Sequence, residues 1–367
     1  MSARLRGGRS TLPPLRGATR ERTSLCKKAL PNTTYRMICV THQTRRTLLR
    51  ACAILGVSML SDAGRTAAVE QDLVDSQNMP YAAFDRMPFE AVQIGAASIR
   101  IVFGPGSFTL PRQRIVDYVR QSAQTVALYF GKFPAPLARL LVLNTSSAGR
   151  PIRSGTAFGY QGAAIKLTLA DDVTEADLDR DWILVHEMSH LALPSLPRRH
   201  HWFEEGMASY VEPLARAQAG LLSVQRVWGE MVKGMPQGLP QPGEQGLNRT
   251  RTWGRTYWGG ALFCLLADIE TRQATDGMRG LQQALRAILA HGNIERESPI
   301  EPLLEIGDRA TATRVLASLY DRMKDSPYPV DLDALWDRLG VRVTSGGIAF
   351  DDAAPLALFR TAMTRRL

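Results

Sequence analysis

Apolar and polar positions alternate with a period of two over residues 96–103 (AASIRIVF), the pattern of a half-buried strand, and GPGS follows as a turn. The period then lengthens. Ile115, Val119, Ala123, Val126 and Leu128 recur at roughly helical spacing, which predicts a helix over 111–130 with one side packed on a sheet. LARLLVLN at 137–144 is apolar enough for a central strand. GTAFGYQGAAIKLTL at 155–169 alternates weakly around glycines and reads as one edge strand bordering a cleft. Beyond it the pattern turns helical. A run from Trp182 to Leu193 is stopped by Pro194, which cannot continue an i to i−4 ladder. Further helices are expected over about 214–233, 252–273, 276–292, 310–323 and 331–338. MPQGLPQPGEQGLN at 235–248 is too rich in Pro and Gly for a regular element and reads as a surface loop beside the cleft. The tail GIAFDDAAPLALFRTAM reads as a short closing strand and helix. This order predicts an α+β fold: a small sheet lobe with one helix over about 90–170, then a mainly helical lobe over about 178–367.

The chemistry is concentrated in DWILVHEMSHLALPSLPRRHHWFEEGMASYVE, from Asp181 to Glu212. His186 and His190 lie four apart within the Trp182 helix, and at about 100° per residue four steps return to nearly one face. Both imidazoles therefore aim at one spot, with Glu187 beside them. The pattern is HExxH. Two neutral imidazoles at that spacing hold Zn²⁺, and the carboxylate between them accepts the proton of a metal-activated water. The motif also arises by chance on helices rich in His and Glu, so its surroundings decide. A catalytic zinc takes three protein ligands, so a third donor must come from elsewhere in the chain. Twelve residues past His190 comes WFEEGMASY, and from it onward Glu205, Ala208, Ser209 and Glu212 share a helical face. Glu205 is the expected third donor.

WFEEGMASY resembles the WLNEGFASY-like segment of the gluzincin metallopeptidases, the neutral zinc aminopeptidases above all. Trp202, Glu205, Gly206, Ala208, Ser209 and Tyr210 match it without gaps, and the resemblance implies that Glu204 is the weaker donor. The resemblance is strong over about thirty residues and loose elsewhere, where the chain looks like the broader peptidase MA-like group of exported bacterial proteins. It implies a zincin-like fold, a bound Zn²⁺ held by His186, His190 and Glu205, and hydrolysis of a peptide or protein substrate with Glu187 as general base. Such enzymes need a donor for the oxyanion. Tyr257, in GRTYWGGALF, is the first choice, because gluzincins resembling this chain present a tyrosine from a downstream helix. Tyr210, His200 and His201 are the other candidates, although RRHH at 198–201 reads more readily as a solvated turn. Ser209, one turn past Glu205, is placed to hydrogen-bond a ligand. Substrate would add to the edge strand at Gly155–Tyr160, unless its glycines only serve a hairpin. The GxMEN string that anchors a free α-amino group in the aminopeptidases is absent. Its nearest analogue, GTAFG, lacks the acid, so the chain reads as an endopeptidase. The competing reading is a catalytically inactive peptide-binding or scaffold protein of the same fold, against which Glu187 argues, since it neither binds metal nor fills a core.

The chain has 367 residues and a formal charge of +10, which invites a nucleic-acid reading. The distribution removes it. Residues 1–68 hold thirteen Lys/Arg against two Asp/Glu, leaving 32 against 33 for the remainder, so the basicity belongs to the leader. From Met37, THQTRRTLLR, apolar ACAILGVSML and SDAGRTAA form the n-region, h-region and small-residue cleavage site of an export signal. TRRTLLR also resembles a twin-arginine signal. The expected organisation is a leader over 1–68, translated from Met37, and a peptidase domain over 69–367 sent to a bacterial periplasm or secreted. No stretch of about twenty uncharged apolar residues predicts an integral membrane span. Cys26, Cys39 and Cys52 lie in the leader, and Cys264 in GGALFCLLA reads as a core residue.

Overall fold

The computed structural model describes residues 78–146 and 149–367. The leader read from the sequence, with its start at Met37 and its cleavage site before Val69, lies outside the described residues. A short helix α1 (Tyr81–Phe84) precedes strands β1 (Glu90–Ile94) and β2 (Ala97–Phe103). Helix α2 (Arg112–Phe130) then crosses to β3 (Leu137–Thr145), and β4 (Ile152–Phe158) and β5 (Ala164–Ala170) form a hairpin. The five strands make one sheet in the order β1-β2-β3-β5-β4. β2, β3 and β5 run parallel, and the two outer strands are antiparallel to their neighbours.

Alternation within the central strands explains the layers. Ile99 and Ile101 of β2, Leu140 and Val142 of β3, and Ile165 and Leu167 of β5 face α2 and the helices behind it. Val102, Leu141, Leu143 and Ala164 face the other way, against Tyr81 and Phe84 of α1. Both faces are covered, which is why these strands read as nearly continuous apolar runs. Gly131 ends α2 in the left-handed conformation, at φ 81°.

Helix α3 (Glu175–Arg180) is opened by a capping box between Thr174 and Asp177 and leads into α4 (Ile183–His190), which carries both histidines. An Asp181 carboxylate oxygen accepts the Leu184 N–H at 3.0 Å and a hydrogen bond from Tyr118 of α2, tying the start of α4 to the sheet lobe. The expected extension to Leu193 is a run of tighter i to i−3 turns instead. A short turn at Arg198–His200 opens α5 (His201–Gln218), followed by α6 (Val224–Gly234). A one-turn π-helix (Arg255–Gly259) runs directly into α7 (Gly260–Ala274). After these come α8 (Leu281–His291), α9 (Ile300–Thr311), α10 (Val315–Met323) and α11 (Leu332–Leu339), then the hairpin β6 (Val341–Thr344) and β7 (Gly347–Phe350), and α12 (Ala357–Thr364). The fold is α+β, as its sequence order predicts. Among the described residues, no helix is long and apolar enough to cross a membrane.

Several boundaries differ from the pattern. The expected single edge strand at 155–169 is two strands, because Gly159–Gly162 turns the chain and only β4 is the edge. The helix expected at 214–233 breaks at Gly220, whose φ is +77°, so its first residues belong to α5. The one expected at 310–323 begins at Val315, past Ala312 in the left-handed conformation, while α9, β1 and β6 have no counterpart among the expected elements. The 235–248 segment is not simply a surface loop: Met235, Gly238 and Leu247 are buried. The Gly238 carbonyl accepts from Arg255, which pins the segment to the π-turn that carries Tyr257. Cys264 lies in the core, as expected, and burial pushes its thiol pKa up.

Candidate metal centre

The packing of α4 against α5 brings together side chains that are distant in sequence. His186 and His190 project from one face of α4, and their Nε2 atoms are 3.2 Å apart. Glu205 Oε2, from α5, lies 3.3 Å from the first and 3.6 Å from the second. A tetrahedral centre with bonds of about 2.0–2.2 Å has donor–donor edges of about 3.3–3.6 Å, so two nitrogens and an oxygen here have the spacing that one Zn²⁺ requires. Among the described residues these three form the cluster of donors close enough to share an ion. His186 and Glu205 are buried. Burial works to raise the Glu205 carboxyl, but the charges and hydrogen bonds of the two imidazoles outweigh it and hold the group well below the usual carboxylate range. For His190 burial acts downward, and the charge of Glu205 overturns it, leaving the imidazole raised. A cation at this point takes the place of the protons the pair otherwise shares.

Glu187 is buried beside the cluster. Burial raises its carboxyl above the ordinary value, against the pull of His190 and His186, and the Ala157 backbone of β4 hydrogen-bonds to it. The strand lies so close here that a Cβ on Gly155 would stand 2.4 Å from Glu187 Cγ and 2.8 Å from Ile183 Cγ2. Gly155 is therefore the residue that lets the edge strand lie on the metal helix. The sequence places Gly155 on the edge strand, but only the structure shows what its missing side chain accommodates.

Aromatic rings flank His186. Trp182 meets it edge-on at 5.5 Å, and Tyr257 lies nearly parallel at 6.4 Å and 22°, with Trp253 stacked on Tyr257 at 5.5 Å. His186 Nδ1 has no hydrogen-bond partner among the described residues. The ring is held by packing rather than by the carboxylate or carbonyl that usually orients a ligating histidine. Tyr257 reaches this position because α5 and α7 meet glycine to glycine: a Cβ on Gly260 would stand 2.0 Å from the Trp202 carbonyl oxygen and 2.7 Å from Gly206 Cα.

The remaining candidates separate. Tyr210 donates its hydroxyl to Asp268 at 2.9 Å within the core and belongs to the α5–α7 packing. Ser209 makes no hydrogen bond to Glu205 among the described residues. Glu204 accepts the Leu196 N–H at 2.8 Å and so closes the turn between the two helices. RRHH is not a uniformly solvated turn. His200 is fully buried, its Nε2 3.0 Å from the Tyr320 hydroxyl of α10, and burial lowers its pKa. His201 is partly exposed, yet its Nε2 stands 3.3 Å from Glu205 Oε1 and its Nδ1 3.1 Å from Glu204 Oε2. The signal for His201 was present in its spacing, four residues before Glu205 on one helix.

A sheet lobe, a histidine-bearing helix beneath its edge strand and a glutamate from the following helix together make up a zincin-like fold. No protein-family model matches the chain, and no curated protein matches it in sequence. Among solved structures it is similar to an aminopeptidase N family protein from Idiomarina loihiensis, at 15% identity and a TM-score of 0.52, over 70% of this chain and 50% of that one. An M1 zinc metallopeptidase from Deinococcus radiodurans aligns at 19% identity over 66% of this chain and 54% of that one, with a TM-score of 0.42. At these identities the likeness is one of fold, and the first match carries it. The chain spans about half the length of these structures. The first match is named for an aminopeptidase family, which does not favour the endopeptidase expectation.

Proposed function

We propose that the protein is a zinc-dependent peptidase that hydrolyses peptide bonds, with His186, His190 and Glu205 as metal ligands and Glu187 as general base. The observation that carries this reading is the convergence of the three donors at tetrahedral spacing beside a buried fourth carboxylate. Zn²⁺ held there supplies a Lewis acid that polarises a substrate carbonyl and lowers the pKa of water. Glu187 accepts the proton of the attacking water on its carboxylate and passes it to the leaving amine. Its burial keeps the carboxyl a better proton acceptor near neutral pH than an exposed glutamate. Tyr257, its ring against His186, donates its hydroxyl to the oxygen on which charge develops. Trp182 and Tyr257 pack on the His186 ring, and the outer edge of β4 receives an extended peptide as an added strand.

The strand itself bears on specificity. Gly155–Gly159 holds no carboxylate that would anchor a free α-amino group, which supports internal cleavage despite the family name of the similar structure. Peptides with blocked and free N-termini, assayed side by side, decide between the two modes. The reading as a whole is tested with zinc-loaded protein on a peptide panel: activity should vanish with a chelator and return with Zn²⁺. Glu187→Gln should lower turnover by about 10²- to 10⁴-fold with zinc content unchanged. Wild-type turnover in that variant would sink the mechanism, and a zinc-loaded wild type that cleaves nothing would favour a peptide-binding protein of the same fold.

A further inference from the structure

Glu205 offers two oxygens, and the structure gives them different neighbours. Oε2 faces the two imidazoles, while Oε1 faces His201 Nε2 at 3.3 Å. His201 is held in turn. Its Nδ1 stands 3.1 Å from Glu204 Oε2, and Glu204 Oε1 accepts the Leu196 backbone N–H at 2.8 Å. A line of polar contacts thus runs from the turn after α4, through Glu204 and His201, to the side of Glu205 turned away from the histidines. All three side chains belong to the first turns of α5, at i, i+3 and i+4, so the helix itself keeps them in register.

We infer that His201 is the positioning residue of the metal centre: by engaging Oε1 it fixes Glu205 as a one-oxygen donor through Oε2. The inference rests on the zinc-site reading, though not on peptidase activity. A carboxylate with both oxygens free can turn and chelate a cation with the pair of them, filling the position that a hydrolytic site leaves for water. A ring nitrogen 3.3 Å from the outer oxygen opposes that rotation, and partners of this kind typically change metal affinity by about 10- to 100-fold. His201 is partly exposed, its side chain 37% accessible.

The test uses the whole protein and Zn²⁺ alone, titrated against a chromophoric chelator. His201→Ala should weaken zinc binding by about 10- to 100-fold. The metal-free variant should melt at the wild-type temperature. His201→Gln, whose amide nitrogen can approach Oε1, should recover most of the loss. X-ray absorption at the zinc edge should show one carboxylate oxygen from the protein in the wild type and two in the alanine variant. An alanine variant with wild-type zinc affinity and an unchanged zinc environment overturns the inference, as does an equal loss in the glutamine variant. A wild type that takes up no zinc overturns the metal site and the inference together. One that binds zinc but cleaves no peptide removes only the peptidase reading, and the same titration still decides the role of His201.

Discussion

Gly155 and Glu187 are joined by a missing atom: with any side chain at 155, the carboxylate stem beneath β4 would have to move. The effect is local and directional. Gly155→Ala should leave zinc stoichiometry intact, because the atoms nearest the added methyl belong to Glu187 and Ile183, yet turnover should fall toward the level of Glu187→Gln. In a Glu187→Gln background the same change should cost almost nothing, since two changes acting through one group are not additive. Steady-state kinetics of the four proteins checks this, and a full additional loss in the double variant would show that Gly155 acts elsewhere. At this scale the sequence is informative where chemistry demands a spacing, as for His186, Glu187 and His190. It is uninformative where a residue matters for what it lacks, because a close approach to glycine leaves no trace in the glycine's own neighbours.

Among the elements, α4 on α5 gathers the donors, and α5 on α7 places Tyr257. Gly206 and Gly260 let the two backbones touch, and Tyr257 sits in the π-turn that enters α7, three residues before Gly260. A methyl at 260 would meet the Trp202 carbonyl, a backbone atom that cannot swing aside. Gly260→Ala should therefore cost about 1–3 kcal/mol of stability, the usual range for overpacking a core. It should also lower turnover by shifting Tyr257, which chemical denaturation and kinetics would read separately. A variant as stable as the wild type would mean that the helices have slack at this crossing. The helical periods located most of these elements but misplaced several ends. Gly220 and Ala312 break helices through backbone conformation, and the pattern of apolar residues runs on past both.

For the whole molecule, a cation held by the donors of α4 and α5 would tie the two helices to one another. Saturating zinc should raise the melting temperature, with a gain of about 4 kcal/mol at a thousandfold excess over the dissociation constant. The gain should depend on pH with a definite sign. The metal-free protein holds a proton on His190 up to about pH 9, which zinc must displace. Zinc affinity should thus fall by about tenfold for each unit of pH below that value, for one displaced proton. Calorimetry with and without zinc across that range checks both statements, and a pH-independent gain would place the metal elsewhere. The sequence by itself determined the two histidines, the glutamate between them, the downstream glutamate and the sheet-then-helix order, because helical spacing and strand alternation are local and survive without a fold. Only the tertiary structure decided that β4 alone is the edge, that His200 is buried while its neighbour His201 meets Glu205, and that Tyr257 stands beside His186. Each of those depends on how elements far apart in the chain pack, and packing is settled by the fit of surfaces that no single segment contains.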